Sequence, residues 1–157
     1  TSVIQKKGRG TMNKKWVSKK GNLFLSIFFE INSKKIDFRQ YAIFNAHIIR
    51  KILLKYSNLN IIIKWPNDLM VQKRKICGIL QEVIHFNKRE YLIIGIGINT
   101  IYSPSGKGFK SIALKKCTNM QINNLKILED IKTTYEKFLS DIKKYNISYL
   151  NKTICKK

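Results

Sequence analysis

The feature that most constrains the fold is a succession of short apolar segments between residues 61 and 99. Ile61 to Lys64 is rich in β-branched residues, which favour strands. Asp68 to Val71 and Ile76 to Phe86 flank a polar turn at Gln72 to Arg74, and this arrangement predicts a β-hairpin. The centre of the chain is therefore predicted to form a sheet.

Three further segments are predicted to extend this sheet. Residues 1–5 indicate a short strand that enters a glycine-rich loop from Gly8 to Gly10. Asn22 to Ile31 is a strand whose apolar content predicts burial on both faces. Tyr91 to Asn99 is a buried strand interrupted by two glycines.

Two amphipathic segments predict helices, separated by the strands and by a loop from Tyr102 to Lys110. Asp37 is placed to cap the first helix, which runs to about Tyr56, and the second runs from about Asn124 to Tyr145. Their apolar stripes contain Ile43, Ala46, Ile49 and Leu53 in the first helix, and Leu128, Ile131, Tyr135, Phe138 and Ile142 in the second. We expect one α+β domain, a mixed and largely antiparallel sheet with packed helices.

Charge and length limit the classes of function. A chain of 157 residues suits one domain, and none of its apolar runs is long enough to span a bilayer. The net charge of +22 is spread along the whole chain, which favours a basic solvated surface over a dedicated nucleic-acid site. Such a surface attracts anions, including ATP and acidic proteins.

The three cysteines are few, odd in number and far apart in the sequence. Cys77, Cys117 and Cys155 form no Cys-x-x-Cys pair, which disfavours a disulfide framework and a zinc site. We therefore expect a reducing, cytoplasmic location. Cys77 lies in an apolar run, where a buried, unreactive thiol is expected.

Four segments carry candidate chemistry, and their order along the chain is as informative as their content. They are Gln5-Lys6-Lys7-Gly8-Arg9-Gly10, followed by Trp16 and Gly21-Asn22-Leu23; Lys64-Trp65-Pro66-Asn67-Asp68-Leu69; Lys75-Ile76-Cys77-Gly78-Ile79-Leu80-Gln81-Glu82; and Gly95-Ile96-Gly97-Ile98-Asn99.

Glycines are placed in these segments where a ligand would need close access to the backbone. Those on both sides of Arg9 let the chain approach an anion, while the guanidinium can grip phosphate or carboxylate. Gly78 lies inside a predicted strand, which often marks a closely approaching ligand or backbone. Gly95 and Gly97 share one face of their strand and leave a flat apolar slot. This pair is no dinucleotide fingerprint, since it closes a strand and opens no helix.

Together the four segments closely resemble the biotin–protein ligase family. The family pattern is Q-x-x-G-R-G…W…G-N-L-x-L-S, then K-W-P-N-D-L, K-x-x-G-I-L-x-E and G-x-G-I-N, and the match covers most of residues 1–100. It implies the catalytic-domain fold of biotin and lipoate ligases, which is similar to that of class II aminoacyl-tRNA synthetases. It also implies an enzyme that activates biotin with ATP as biotinyl-5'-AMP. The biotin is then transferred to a lysine of a carrier protein, such as the biotin carboxyl carrier domain of acetyl-CoA carboxylase.

The resemblance also implies roles for matching residues. Biotin and the adenylate would contact Gln5, Arg9, Gly10, Thr11, Trp16, Lys75, Gly78, Leu80, Gly95 and Gly97, and the nucleotide would lie near Lys64, Asn67, Asp68 and Asn99. Lys75 and Arg9 would be catalytic, because attack of a carboxylate on the α-phosphate brings two anions together. Fixed cations and Mg²⁺ offset that repulsion, and no protein ligands for the metal are assigned.

The sequence departs from the family pattern in the loop and at the start of the chain. The family has a second loop arginine where this chain has Thr11, so we expect a looser grip on the adenylate. The chain starts inside the strand before the loop, so residues 1–157 are expected to be a catalytic domain shortened at its N-terminus. Neither a helix-turn-helix nor a C-terminal SH3-like barrel is recognised, and no specific DNA or membrane binding is expected. The sequence leaves open whether the protein forms a homodimer.

Three alternatives stay open. Lipoate or octanoyl transfer on the same fold is disfavoured because that family's arginine–histidine loop is missing. A nucleic-acid-binding module is disfavoured because the strand aromatics Phe24, Phe28 and Phe29 fall in apolar runs. The third is an inactive remnant that keeps the core without turnover.

Overall fold

The computed structural model describes residues 1–12, 14–104, 109–144 and 146–155. Its elements are β1 (Leu23–Ile31), α1 (Phe38–Leu54), β2 (Ile62–Lys64), β3 (Asp68–Val71), β4 (Arg74–Phe86), β5 (Arg89–Ile98), a short 3₁₀ turn (Leu114–Lys116), α2 (Asn124–Lys144) and α3 (Ile147–Ile154). The five strands form one sheet in the order β1-β5-β4-β3-β2, and every neighbouring pair is antiparallel. The predicted α+β class with a largely antiparallel sheet is confirmed.

The helices cover one face of the sheet. Helix α1 begins with the predicted cap, in which the Asp37 carboxylate accepts from the backbone of Arg39 and Gln40. Its buried stripe packs on β2, β3 and β4 and on α2, where the Phe44 and Phe138 rings lie 5.5 Å apart. The core therefore lies between α1, α2 and this face, and the opposite face is left open.

The prediction that β1 is buried on both faces is wrong. Leu23 to Leu25 are all buried, but from Leu25 onward the residues alternate, and Phe28 on the face opposite Leu25 is 74% exposed. The physical reason is that the helices pack on one side only, so alternate side chains of β1 face the open side. That open side is where the candidate site lies.

A buried polar network fixes α2 to the sheet. The Tyr135 hydroxyl donates to Asn45 Oδ1 at 3.0 Å, and Asn45 Nδ2 donates to Gln81 Oε1 at 2.9 Å. Gln81 in turn donates to the carbonyl of Phe38, so the network links α2, α1 and β4. Because each group has a partner, the burial of these amides is compensated.

Several boundaries differ from prediction. Residues 1–5 form no strand, and only Ser2 makes an isolated bridge to Phe24 on the free edge of β1. Ile43 is 38% exposed because it lies at the margin of the buried stripe, and α3 was not predicted. The central part of the predicted 102–110 loop and the last predicted residue of the second helix lie outside the described residues.

Within the described ranges, no helix is both long and apolar enough to cross a membrane.

Removing the hydroxyl in Tyr135→Phe should lower the free energy of unfolding by about 1–2 kcal/mol, because the buried Asn45 Oδ1 loses its donor. Urea unfolding followed by circular dichroism measures this difference. Tyr102→Phe, at an exposed tyrosine, is the matched control and should change stability by less than about 0.5 kcal/mol. Equal unfolding midpoints for the two variants would show that the network contributes nothing.

Candidate active site

Two adjoining cavities open on the uncovered face of the sheet. The smaller, of about 170 Å³, lies over the middle of β1, β5 and β4, and the larger, of about 660 Å³, lies over the β3 side. Both are lined by Gly10, Thr11, Trp16, Asp68 and Lys75. These shared residues form the partition, so ligands in the two cavities would meet at them.

A β-bulge directs Lys75 into this partition. Asp68 pairs with Gly78 and Met70 pairs with Lys75, so β4 contains one more residue than β3 over this interval. In a regular strand, residues 75 and 78 would point to opposite faces. The extra residue brings both onto the open face, while Ile76 and Cys77 are fully buried.

Ionic and backbone contacts fix the position of Lys75. Its Nζ lies 2.5 Å from Asp68 Oδ1 and 5.3 Å from the centroid of the Trp16 ring. Its carbonyl accepts from the backbone of Ile112 at 3.0 Å and from Asn99 Nδ2 at 3.3 Å. The ammonium therefore lies where the two cavities meet. Asp68 and Trp16 hold the ammonium, and hydrogen bonds from Ile112 and Asn99 hold the Lys75 carbonyl.

The indole of Trp16 lies flat on two glycines of neighbouring strands. A Cβ added to Gly97 would lie 2.5 Å from the indole, and one added to Gly78 would lie 2.6 Å from it. Over Gly95 the nearest heavy atom is the Leu80 carbonyl oxygen at 3.7 Å. The predicted slot thus has two parts, one filled by Trp16 and one open above Gly95.

The segment from Gly8 to Trp16 folds back on itself beside the smaller cavity. Gly10 N–H donates to the Lys14 carbonyl at 2.7 Å, and Trp16 N–H donates to the Gly8 carbonyl at 2.9 Å. The Arg9 guanidinium reaches across to Glu82 on β4. The predicted anion-gripping arginine therefore holds a carboxylate of the protein in this structure.

The larger cavity is strongly basic. Among its described lining residues, Asp68 is the single carboxylate, and Lys75 already neutralises it. The lysines around the cavity are Lys14, Lys15, Lys64, Lys73, Lys75 and Lys110. Such a concentration of positive charge favours a polyanionic ligand there.

The predicted site residues divide between the two cavities. Besides the shared residues, the smaller is lined by Gln5, Arg9, Asn67, Gly78, Leu80, Gly95 and Gly97, and the larger by Lys64 and Asn99. Asn67, predicted near the nucleotide, lines the smaller cavity, where its amide donates to the Ile79 carbonyl at 2.7 Å. The structure thus brings every predicted residue to one cleft.

Sequence reasoning gave no role to several residues that build the cleft. Asn22 is buried, and its Oδ1 accepts from the backbone of Ile101 at 3.0 Å and of Tyr102 at 2.8 Å. It thereby secures the turn after β5 next to Asn99. Its position in a Gly-Asn-Leu motif was the available signal. The lysines at 14, 15, 73 and 110 gave no signal, since lysine is common throughout this chain.

The cysteines, the histidines and the possible metal ligands can be assessed only among the described residues. Cys77 is fully buried, as predicted, and burial raises the pKa of its thiol. Burial also lowers the pKa of His47 on α1, and His85 pairs with Glu90. No group of three or more His, Cys, Asp or Glu side chains within the described ranges could hold a metal ion.

Comparison with known proteins identifies the family. The model of the biotin/lipoate A/B protein ligase family matches residues 1–99. The chain belongs to this family. Every predicted site residue, from Gln5 to Asn99, lies inside the matched region.

The relatives of this biotin/lipoate ligase family member are longer proteins. The bifunctional ligase/repressor BirA of Escherichia coli is 34% identical over 97 residues, which cover 60% of this chain and 30% of that protein. The bifunctional ligase/repressor BirA of Bacillus subtilis is 29% identical over 143 residues, 87% of this chain and 44% of that protein. The chain therefore spans less than half the length of these curated relatives.

The fold of this chain is similar to that of solved biotin protein ligases. The biotin protein ligase from Aquifex aeolicus in complex with biotin and ATP superposes with a TM-score of 0.78 at 26% identity. The match covers 97% of this chain and 64% of that one.

Gly97→Ala should displace the Trp16 indole, whereas Gly95→Ala should leave it in place, because only the first new Cβ would clash with the ring. In a Trp65→Phe background Trp16 is the sole tryptophan, so its emission spectrum reports the packing directly. We expect a red shift for Gly97→Ala alone. An unchanged spectrum for Gly97→Ala would contradict the stacking of Trp16 on this glycine.

Proposed function

We propose that the two cavities form the catalytic site of an ATP-dependent biotin–protein ligase. In this proposal biotin occupies the smaller cavity and ATP the larger. Family membership and the likeness to a ligase bound to biotin and ATP support the choice of ligands. The proposed unit is the catalytic domain, residues 1–157.

The carrying observation is that the two cavities share Lys75, Asp68 and Trp16 as their partition. A carboxylate at the end of a ligand in the smaller cavity would reach the partition from one side. The α-phosphate of a nucleotide in the larger cavity would reach it from the other. The reaction that joins these two ligands therefore takes place beside the Lys75 ammonium.

The proposed first step transfers the adenylyl group to biotin. A carboxylate oxygen of biotin attacks the α-phosphorus of ATP, the bond to the bridging oxygen breaks, and pyrophosphate leaves. The product is biotinyl-5'-AMP. Lys75 lowers the barrier because its positive charge offsets repulsion between the carboxylate and the phosphate in the transition state. Asp68 keeps that ammonium aimed at the partition.

In the proposed second step, the amine of an acceptor lysine attacks the carbonyl carbon of the adenylate. An amide bond forms, AMP leaves with the electron pair of the broken carbon–oxygen bond, and the proton lost by the amine passes to solvent. A carboxyl carrier domain fits as the acceptor, because the dense positive charge of this chain attracts acidic partners. Its free cysteines are consistent with the reducing cytoplasm where such carriers are modified.

The other residues have binding roles in this proposal. Gln5, whose Oε1 accepts from the Ser18 hydroxyl at 3.2 Å, would meet the ureido group of biotin. Leu80 and Gly95 would contact its rings, and Trp16 would separate them from the nucleotide. Gly10 and Thr11 would close over the adenylate and exclude water, which otherwise hydrolyses it.

The lysines of the larger cavity would bind the triphosphate and, later, the pyrophosphate. Because Asp68 is the single described carboxylate there and is paired, the cavity does not fit a resident metal ion. Mg²⁺ would enter as part of the substrate, bound to the phosphates of ATP.

Lys75→Ala should reduce biotin-dependent pyrophosphate release by about a hundredfold or more, because the transition state loses its fixed positive charge. Release is measured with biotin, ATP and Mg²⁺ by a coupled phosphate assay. Lys137→Ala, at an exposed lysine of α2, is the control and should be unaffected. Near-normal release by Lys75→Ala would remove this residue from the mechanism. No release by the unaltered chain, despite a folded spectrum, would favour an inactive remnant.

Replacing biotin by lipoate or octanoate in the same assay tests the related acyl ligases. We expect release with biotin only, because the open space above Gly95 accepts a flat, rigid ring system. Gly95→Ala should abolish the biotin signal, since its Cβ would enter that space. Preferential release with lipoate would assign the site to the sibling activity.

A further inference from the structure

An ion pair connects the glycine-rich loop to the sheet at the smaller cavity. Arg9 Nη1 lies 2.9 Å from Glu82 Oε1, and Nη2 lies 2.7 Å from Oε2. This is the bidentate geometry in which a guanidinium holds a carboxylate most specifically. Glu82 projects from β4 onto the open face, opposite Ile93 of β5.

The position of the pair argues against a direct role of Arg9 on phosphate. Arg9 and Glu82 line the smaller cavity, and neither lines the larger, lysine-rich one. Both terminal nitrogens of the guanidinium are engaged by the carboxylate. A residue gripping the triphosphate would lie on the other side of the Trp16 partition.

Within the described residues, no other hydrogen bond or ion pair joins the loop to the sheet. The backbone hydrogen bonds of this segment, such as Gly10 to Lys14 and Trp16 to Gly8, are internal to it. Beyond them, the loop is attached at its end by Trp16, which packs on Gly78 and Gly97 and lies beneath the Lys75 ammonium. Release of the ion pair would therefore free the stretch from Gly8 to Met12, which lies before the Trp16 attachment, to move away from the cavity.

We propose that Glu82 is a positioning residue that holds the loop closed over the smaller cavity through Arg9. The pair acts as a latch, and Arg9 acts through Glu82 and not on the phosphates. The consequence for ligand retention rests on the proposed biotin site, whereas the latch itself does not.

The modest strength of the pair suits this role. The two side chains are 69% and 41% exposed, so solvent screens their attraction and the latch opens reversibly. Opening is required, since a ligand must enter and leave beneath the loop. Loss of an exposed pair of this kind should raise the open population by about fivefold.

Limited trypsin digestion without added ligand tests the latch directly. Cleavage after Lys14 and Lys15 reports the open population of the loop, and Glu82→Gln leaves both of these sites intact. We expect cleavage about fivefold faster in Glu82→Gln than in the unaltered chain. Glu30→Gln, which removes the exposed partner of Arg89, is the matched control and should cleave at the original rate.

The charge swap R9E/E82R separates a latch from a phosphate ligand. Each single reversal should open the loop, and the double variant should restore protection, because the pair is reformed in the opposite sense. With biotin and ATP, Glu82→Gln should raise KM for biotin about fivefold and leave kcat for pyrophosphate release within about twofold. The swap should recover KM. If the double variant resists trypsin but has a lower kcat for pyrophosphate release, Arg9 acts on the phosphates and the proposal is overturned.

The outcomes distinguish failure of the latch from failure of the proposed function. Equal cleavage of Glu82→Gln and the unaltered chain overturns the latch, whatever the protein binds. Faster cleavage of Glu82→Gln, rescued by the swap in a chain that never binds biotin, supports the latch and refutes the biotin site.

Discussion

The cleft depends on one local irregularity, the β-bulge that turns Lys75 onto the open face of the sheet. Without it Lys75 would point into the hydrophobic core, where an unpaired ammonium is prohibitively unstable. With it, two consecutive apolar residues, Ile76 and Cys77, are both buried, and Lys75 meets Asp68 at the partition. The bulge thus couples the packing of the core to the placement of the charge that the proposed chemistry requires.

The second constraint is the absence of side chains beneath Trp16. Gly78 and Gly97 are Cα partners on neighbouring strands, and together they form a flat floor on which the indole rests. That contact turns one groove into two cavities with different linings. In one, Gly95 leaves the backbone accessible beside the Arg9–Glu82 pair, and the other is lined by lysines. A ligase that joins a carboxylate to a nucleotide needs such a separation, since each ligand must be recognised before the two meet.

The motifs predicted which residues gather in the cleft, because local patterns such as the glycines around Arg9 mark places where the backbone is accessible. Apolar and β-branched runs likewise predicted most strands, and the place of Asp37 before an amphipathic segment predicted the cap of α1. The positions of the side chains within the cleft could not be predicted from the sequence. The spacing of Lys75 and Gly78 in the sequence does not reveal the bulge. Arg9 and Glu82 are 73 positions apart, so no local pattern indicates that they pair. The exposure of Phe28 also followed from the one-sided placement of the helices, which strand composition alone does not reveal.

In the proposed reaction the carboxylate and the α-phosphate meet at the partition. Transfer of ¹⁸O from the carboxylate of biotin to AMP measures this reaction. Biotin labelled with ¹⁸O in both carboxylate positions is incubated with ATP, Mg²⁺ and hydroxylamine, which replaces the acceptor lysine. Attack of the carboxylate on phosphorus followed by cleavage at the carbonyl carbon must leave one ¹⁸O on AMP, and mass spectrometry detects it. We predict singly labelled AMP from the unaltered chain and none from Lys75→Ala. Unlabelled AMP, or labelled AMP from both proteins, would contradict the account.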